Sequence, residues 1–218
     1  MGQPPPALHL RCASSQKESK GMTLDELRQQ LRSAPQATDP ALFAEMWQRV
    51  QALGKGQFLP TTQAILQRYE ADQPLRPHFP NKMQYLYMRD RQTFTFALFP
   101  ELLPIAYQAG RVIGAAYDAP RRAGITLREA LESAIHVAEA FDYGRQEIVT
   151  VEEHFAIYRT YECADCYGLP NLGMKICIYE AGIAAGALET TLGRPVRVEE
   201  VKCCANGDPY DEFEIYVE

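Results

Sequence analysis

Apolar residues change from a helical spacing to an alternating one between residues 141 and 147, and this change constrains the fold more than any other feature of the sequence. Before it, Leu127 and Leu131 belong to a run whose apolar positions share one helix face. After it, Phe213, Ile215 and Val217 alternate with polar residues, as in a strand with one buried face. Helices combined with hairpins predict an α+β domain, with helices packed on an antiparallel sheet.

The same patterns predict the individual elements. Helices are expected over residues 60–70, 102–116 and 127–141, and strands over residues 147–150, 155–161, 196–203 and 213–217. Thr126 followed by Glu129 is a capping box, and Gly193 is a natural helix stop after the apolar segment 175–191. Residues 84–98 fit two short strands, with a single helix nearly as good.

Three regions are expected along the chain. Residues 1–21 contain three successive prolines and no apolar run, which predicts a disordered tail. Residues 22–80 are predicted to form an N-terminal helical extension, with helices that begin at the capping residues Thr23 and Asp39 and a proline-rich linker over 72–80. Residues 81–218 are predicted to form the main domain.

Charge and hydropathy exclude two broad classes of function. The net charge of −6 argues against non-specific nucleic-acid binding, which depends on a basic surface that neutralises phosphates. No apolar run approaches the ~20 residues that span a bilayer, and the first residues lack the apolar core of a secretory signal. The sequence therefore predicts a cytoplasmic protein whose cysteines are reduced and available for metal or redox chemistry.

Thiols and carboxylates at metal-ligand spacing occupy the last third of the chain. They are Cys163, Cys166, Cys177, Glu200, Cys203, Cys204 and Asp211. Residues three apart in a flat strand point to opposite faces, so Glu200 and Cys203 can share an ion only if the strand twists, bulges or ends between them. Alternatives are a core role for Cys177, thiol exchange at Cys163 and Cys166, and an iron–sulfur cluster on Cys163, Cys166, Cys177 and Cys203.

Five segments resemble the 4-vinyl reductase domain over roughly residues 100–218. They are ECADCYGLP at 162–170, GIAAGAL at 182–188, GRPV at 193–196, EVKC at 200–203 and GDPYDEF at 207–213. The resemblance implies a small α+β fold shared with the sensor domains of aromatic-responsive activators and with subunits of a vesicle-tethering complex. It also implies a homodimer that binds a hydrophobic small molecule, which is a tetrapyrrole or chlorophyll precursor in photosynthetic relatives.

The resemblance further implies a structural zinc site, as in the aromatic sensors. Its ligands fall on Cys177, Glu200, Cys203 and Asp211, with Cys163, Cys166 and Cys204 as alternates. The family usually has a cysteine where this chain has Asp211, so the site departs from the family pattern at that position.

Candidate ligand-binding residues lie in the helices and strands around the expected cleft. They are Tyr107, Arg111, Tyr117, His136, Phe141, Tyr143, His154 and Tyr158. The aromatic rings are candidates for the pocket wall, Arg111 for pairing with a propionate, and the two histidines for ligation of a tetrapyrrole metal. The plainer interpretation of each is a core or surface role, and the small residues of 182–186 are more simply explained by tight packing against the sheet.

These observations favour a non-catalytic binding protein over an enzyme. The sequence contains no G-x-G-x-x-G turn after a strand, no G-x-S-x-G turn and no H-E-x-x-H helix, and we assign no catalytic residue. Two alternatives remain open. One is an enzyme or enzyme accessory in vinyl reduction of a chlorophyll precursor, and the other is a redox or aromatic-compound sensor that acts through a partner protein.

Overall fold

The computed structural model describes residues 58–117 and 124–218, together with residues 41, 44, 45, 48, 49, 51 and 52, which are helical. The chain divides into two compact units, Met1–Glu45 and Met46–Glu218, and the second unit contains all the features below. The expected tail at 1–21 and the helix starts at Thr23 and Asp39 lie outside the described residues.

From residue 58 onwards, the described part of the second unit contains five α-helices and four strands. The helices are α1 Phe58–Glu70, α2 Met83–Leu98, α3 Leu103–Ala116, α4 Leu127–Ala140 and α5 Ile178–Leu192, and the strands are β1 Arg145–Val151, β2 Phe155–Tyr161, β3 Val196–Lys202 and β4 Asp211–Val217. The strands form one antiparallel sheet in the order β1-β2-β4-β3. The expected α+β class with an antiparallel sheet is confirmed. No helix in the described ranges is long and apolar enough to cross a bilayer.

Residues 84–98 form one continuous helix, so the expectation of two strands there is wrong. Tyr85, Arg89, Gln92 and Phe96 are all buried, and their spacing of three to four residues defines one helix face. Two of these four side chains are polar. A helical period that is sought among apolar residues alone therefore does not reveal the buried face of α2.

Local signals fix the start of α4 and the end of α5, two helices that surround the site. Thr126 Oγ1 accepts from the backbone N–H of Glu129 (3.3 Å), and the Glu129 carboxylate accepts from the backbone N–H of Thr126 (2.9 Å), which is the expected capping box. Gly193 ends α5 in the left-handed region, with φ 67°.

Helices α3 and α5 pack with their backbones almost in contact. A Cβ atom at Gly114 would lie 2.0 Å from the carbonyl oxygen of Ile183, and one at Gly186 would lie 2.0 Å from that of Arg111. Gly110 and Gly182 are equally confined. The small residues of 182–186 therefore serve close packing, as expected, but against α3 rather than against the sheet.

The core lies between the sheet, α4 and α5. Tyr158 of β2 stacks on Phe213 of β4, with ring centroids 4.8 Å apart, and Leu131 of α4 is buried in the same core. Strand β3 has a register shift between Glu200 and Lys202 and ends at Lys202. This irregularity is what the sequence required if Glu200 and Cys203 are to face the same ion.

Candidate metal centre and ligand cavity

Two turns, a helix start and two strands bring the thiols and carboxylates together at the end of the sheet. The turn after β2 carries Cys163 and Cys166, and it is closed by a hydrogen bond from the N–H of Tyr167 to the carbonyl of Cys163 (3.0 Å). Cys177 precedes the first turn of α5. Glu200 lies in β3, Cys203 directly follows that strand, and Asp211 begins β4.

Six of these side chains form two overlapping groups of four, each close enough together to hold a metal ion. One group is Cys163, Cys166, Cys177 and Asp211, and the other is Cys177, Glu200, Cys203 and Asp211. Within each group, one ligand atom from every residue lies within 4.8 Å of the others, and all six residues are buried. The structure thus brings together the four residues implied as zinc ligands and also two of their alternates, Cys163 and Cys166.

Glu200 is buried without a partner for its charge. Its side chain is 3% exposed, and neither carboxylate oxygen has a hydrogen-bond partner in the described part of the protein. Burial raises the pKa of Glu200 well above its ordinary value, and the neighbouring Cys203 raises it further. A buried carboxylate without a donor is costly, so this position favours a bound cation.

The remaining groups of the cluster contact one another. Cys163 Sγ lies 3.7 Å from Cys177 Sγ, which lies 4.0 Å from Cys203 Sγ. The Cys166 thiol lies 3.1 Å from each oxygen of Asp211. Burial raises the pKa of Asp211, as it does that of Glu200, and the charges of Cys163 and Cys203 add to the effect. Acidic groups concentrated in a buried site have the chemistry of a divalent metal centre.

Cys204 lies beside the two groups of four without belonging to either of them. Its N–H donates to Asp211 Oδ1 (2.8 Å), and its side chain belongs to neither group of four. The N–H of Cys203 donates to Asp208 Oδ2 (3.0 Å), which holds the turn before β4. These backbone hydrogen bonds help to orient Cys203 and Asp211.

A cavity of about 730 Å³ lies between α4, α5 and the sheet. Its walls include Leu131, Ala134 and Ala138 from α4 and Ile183 and Ala184 from α5. Aromatic side chains complete the wall, and they are Tyr85, Tyr117, Phe141, Tyr143, Tyr158, Tyr179 and Phe213. The cavity therefore offers a mainly apolar surface to a small molecule.

A chain of polar groups connects this cavity with the cysteine cluster. Glu180 lines the cavity, and its Oε1 accepts from Gln92 Nε2 (2.9 Å). Tyr143 also lines the cavity, and its hydroxyl donates to Asp165 Oδ2 (2.8 Å) and lies 3.6 Å from Cys163 Sγ. A single phenol hydroxyl therefore touches both a buried carboxyl and the cluster.

Asp165 and Glu180 are each left with one oxygen that has no donor among the described residues. These atoms are Asp165 Oδ1 and Glu180 Oε2. Burial is the first cause that raises the pKa of both carboxyls, and for Glu180 the charge of Asp165 is the second. A proton held between the two carboxyls, or a donor from a bound molecule, would satisfy these oxygens.

The predicted ligand-binding residues divide into two sets. Tyr117, Phe141, Tyr143 and Tyr158 line the cavity. The other four are absent from its described wall. The Tyr107 hydroxyl accepts from the N–H of Val198 (3.2 Å), Arg111 pairs with Glu189, His136 is exposed, and His154 contacts the carbonyl of Val217 (3.1 Å).

Sequence reasoning missed Glu180, Asp165 and Gln92 as site residues. Glu180 had a detectable signal, because it is the first acidic residue in the apolar run 176–191 and lies on the face that α5 buries. Gln92 gave no such signal, since its role depends on where α2 packs.

The fold and the site define a class of protein. It is an α+β domain with a buried thiol–carboxylate cluster beside an apolar cavity. Residues 156–216 match the family model of the 4-vinyl reductase domain. The resemblance found in the sequence is thereby confirmed for this part of the chain.

Three uncharacterized proteins of Methanocaldococcus jannaschii are similar in sequence to this chain. MJ0150 is 40% identical over 88 residues, which cover 40% of this chain and 51% of that protein. MJ1642 is 32% identical over 74 residues, which cover 34% of this chain and 46% of that protein. The chain thus matches about half the length of each of these two relatives.

Three solved structures are among those similar to this chain. The phenol-responsive sensory domain of the activator PoxR, solved with phenol, is 14% identical over 60% of this chain and 71% of its own (TM-score 0.44). Trafficking protein particle complex subunit 3 of Naegleria fowleri, covalently bound to palmitic acid, is 17% identical over 62% and 92% (TM-score 0.48). A vinyl-4-reductase family protein of M. jannaschii is 18% identical over 72% and 94% (TM-score 0.44).

Proposed function

We propose that this chain is a non-catalytic binding protein for a hydrophobic small molecule, and that a structural zinc ion stabilises its carboxyl-terminal part. The observation that carries the proposal is the cavity of about 730 Å³ between α4, α5 and the sheet. Pockets for small molecules have volumes of about 300–1,000 Å³ and mainly apolar walls with a few polar groups. The match to the 4-vinyl reductase domain over residues 156–216 supports the same function.

The finer proposal is that the ligand is a tetrapyrrole or a chlorophyll precursor. Tyr117 and Phe141, which are 50% and 73% exposed, supply aromatic surface for a flat ligand, and Tyr143 and Tyr158 line the same cavity. Glu180 adds a polar group to the cavity wall, and a donor from a bound molecule would satisfy its Oε2, which has no donor among the residues that the structure describes.

Occupation of the cavity is tested with the purified full chain. Native mass spectrometry and an organic extract would identify a bound molecule, and titrations with protoporphyrin IX and the neutral dye N-phenyl-1-naphthylamine would measure binding. Ala184→Trp fills the cavity wall and should weaken both probes at least about tenfold, a loss of about 1.4 kcal/mol. Ala71→Trp, at an exposed position after α1 and outside the described cavity wall, is the control and should bind like the wild type.

The possible outcomes test the hydrophobic ligand and the tetrapyrrole separately. Dye binding without porphyrin binding would retain the hydrophobic cavity and reject the tetrapyrrole. Binding of neither probe, or equal binding by Ala184→Trp and wild type, would reject the cavity as a ligand site. Loss of a substrate vinyl group with NADPH in the isolated chain would establish an enzyme instead.

The zinc part of the proposal concerns Cys177, Glu200, Cys203 and Asp211. Four protein ligands close the coordination sphere, which is the arrangement of structural zinc rather than of catalytic zinc. The ligands come from the start of α5, β3, the segment that follows β3, and β4, so an ion here would join elements that are far apart in the sequence. The five described cysteines are free, which agrees with a reducing compartment such as the cytoplasm.

A sensor that acts through a partner protein is the second candidate. It is favoured by Tyr143, whose hydroxyl is in contact with the cluster while its side chain lines the cavity. Binding of a ligand could thereby reach the metal centre.

A homodimer is the proposed assembly. Ile105 and Val112 on α3 are 65% and 71% exposed, and a second copy would cover this apolar surface. Light scattering of the wild type and of Val112→Lys tests the assembly. A monomeric wild type would reject the homodimer.

A further inference from the structure

We propose that the cluster is a binuclear centre, in which Cys177 and Asp211 bridge two divalent metal ions. The proposal deepens the single structural zinc proposed above and rests on the same cluster. Cys163 and Cys166 complete the coordination of one ion, and Glu200 and Cys203 complete that of the other. Both groups of four use Cys177 and Asp211, which is the arrangement that two ions with shared ligands require.

Cys177 has the spacing of a bridging thiolate. A zinc–sulfur bond of about 2.3 Å gives a sulfur–sulfur distance of about 3.8 Å in a tetrahedral site. Cys177 Sγ lies 3.7 Å from Cys163 Sγ and 4.0 Å from Cys203 Sγ. It therefore has a sulfur neighbour at this distance in each of the two groups.

Asp211 has two oxygens available for two ions. Both oxygens lie 3.1 Å from Cys166 Sγ, which belongs to the first group, and Asp211 also belongs to the second group with Glu200 and Cys203. The N–H of Cys204 donates to Oδ1 and helps to orient the carboxylate. Catalytic two-metal sites place their ions about 3.5–4 Å apart, a separation that a carboxylate can bridge.

A single ion leaves part of the cluster without a metal partner. An ion in the first group leaves Glu200, at 3% exposure, with two carboxylate oxygens that have no hydrogen-bond partner among the described residues. An ion in the second group leaves Cys163 and Cys166, both 0% exposed, outside the coordination sphere. Two ions with shared ligands use all six buried groups.

Charge balance favours the same stoichiometry. Four thiolates and two carboxylates would bring six negative charges into a buried site, and one divalent ion offsets only two of them. A second ion offsets two more in a region where uncompensated charge is costly.

Counting metal ions on the full chain tests the proposal. The purified chain is reconstituted with zinc and with ¹¹³Cd²⁺ under reducing conditions. Native mass spectrometry is expected to show two ions per chain, and ¹¹³Cd NMR is expected to show two resonances. The double variant Cys163→Ser/Cys166→Ser should retain one ion and one resonance.

Cys204→Ser is the matched control, because Cys204 lies next to the cluster but its side chain belongs to neither group of four. It should keep two ions. If the double variant does not fold, the ion count and the number of cadmium resonances of the wild type still decide the question.

The outcomes distinguish this inference from the proposed function. A wild type that saturates at one ion would overturn the binuclear centre and leave the structural zinc intact. A wild type that binds no ion would overturn both metal proposals and leave the cavity untouched. Iron with inorganic sulfide would overturn the assignment of two divalent ions.

Discussion

Glu200 is the residue that connects the sequence most directly with the candidate metal centre. Its position in β3 places it opposite Phe213, within the sheet and away from water. The register shift that follows brings Cys203 close to Glu200. The backbone N–H of Cys177 offsets only part of the effect of burial on this carboxylate. An apolar residue would suit this place in the absence of an ion, so the carboxylate supports the proposed metal site.

Glu200→Gln should change the pH dependence of stability in the metal-free protein. Burial raises the folded pKa of Glu200 above its unfolded value of about 4.3, so between these pH values the folded state holds more protons than the unfolded state. Its contribution to stability therefore falls as the pH rises through this window, and the amide lacks this loss. Thermal melts at pH 5 and pH 8 should show the Tm of Glu200→Gln shifting upward relative to the wild type at the higher pH.

The same variant supplies its own control when metal is present. With zinc bound, loss of a ligand should weaken metal affinity by at least about tenfold, so the variant should be the less stable protein at pH 8. A relative Tm that is the same at both pH values and with or without zinc would contradict the role given to Glu200.

The elements of this protein differ in how far the sequence determines them. The capping box at Thr126 and the stop at Gly193 are local signals, so the start of α4 and the end of α5 follow from the sequence. Helix α2 does not, because buried Arg89 and Gln92 interrupt its apolar stripe. The approach of Cys163 to Cys177 depends on how the turn after β2 meets α5, and the sequence offered this pairing only as an alternative.

The cavity was expected from the resemblance, but only some of the residues that line it were predicted. Tyr143 and Tyr158 were among the candidates because they are aromatic and lie near the expected cleft. Glu180 was not, since an acidic residue in the first turn of a helix usually faces the helix N-terminus and water. Arg111 was a candidate for a ligand propionate, but it pairs with Glu189 across α3 and α5.

Gly186→Ala should disrupt the packing of α3 on α5. The added methyl group would lie 2.0 Å from the carbonyl oxygen of Arg111, so the two backbones would have to separate. We expect a loss of about 1–3 kcal/mol in the free energy of unfolding, measured by chemical denaturation. The control is Gly124→Ala, where no described atom lies within 4 Å of the added methyl group and only the positive φ of 79° is unfavourable.

A left-handed conformation costs a residue other than glycine about 1–2 kcal/mol, so the control itself will lose some stability. The two variants are distinguished by ligand binding, because only Gly186→Ala displaces α5 from its place in the cavity wall. Unchanged probe affinity in both variants would show that the α3–α5 contact does not shape the cavity.

Removal of bound metal should destabilise the folded state of the entire domain. An ion present at about 1,000 times its dissociation constant stabilises the folded state by about 4 kcal/mol. Treatment with a strong chelator should therefore lower the Tm by several degrees, and added zinc should restore it. Cys177→Ser, which removes a ligand common to both groups, should melt at the same temperature with and without chelator.

Tyr143→Phe tests whether the cavity and the metal centre are energetically coupled. In the wild type, affinity for protoporphyrin IX or for the neutral dye should differ between the metal-loaded and the metal-free protein, by a factor of about 5–150 if the coupling is typical. Loss of the hydroxyl removes the contacts with Asp165 and Cys163, so the difference should shrink. Tyr158→Phe, which lines the same cavity, should retain it.

The close contact between α3 and α5 affects how a ligand can enter the cavity. Backbones that touch at Gly114 and Gly186 leave no side chains that could rearrange, so this wall acts as a fixed frame. Helix α4 contains no glycine and meets its neighbours through side chains, and Phe141 at its end is 73% exposed. We therefore expect a ligand to enter and leave the cavity beneath the carboxyl-terminal end of α4, which would move while α3 and α5 keep their positions.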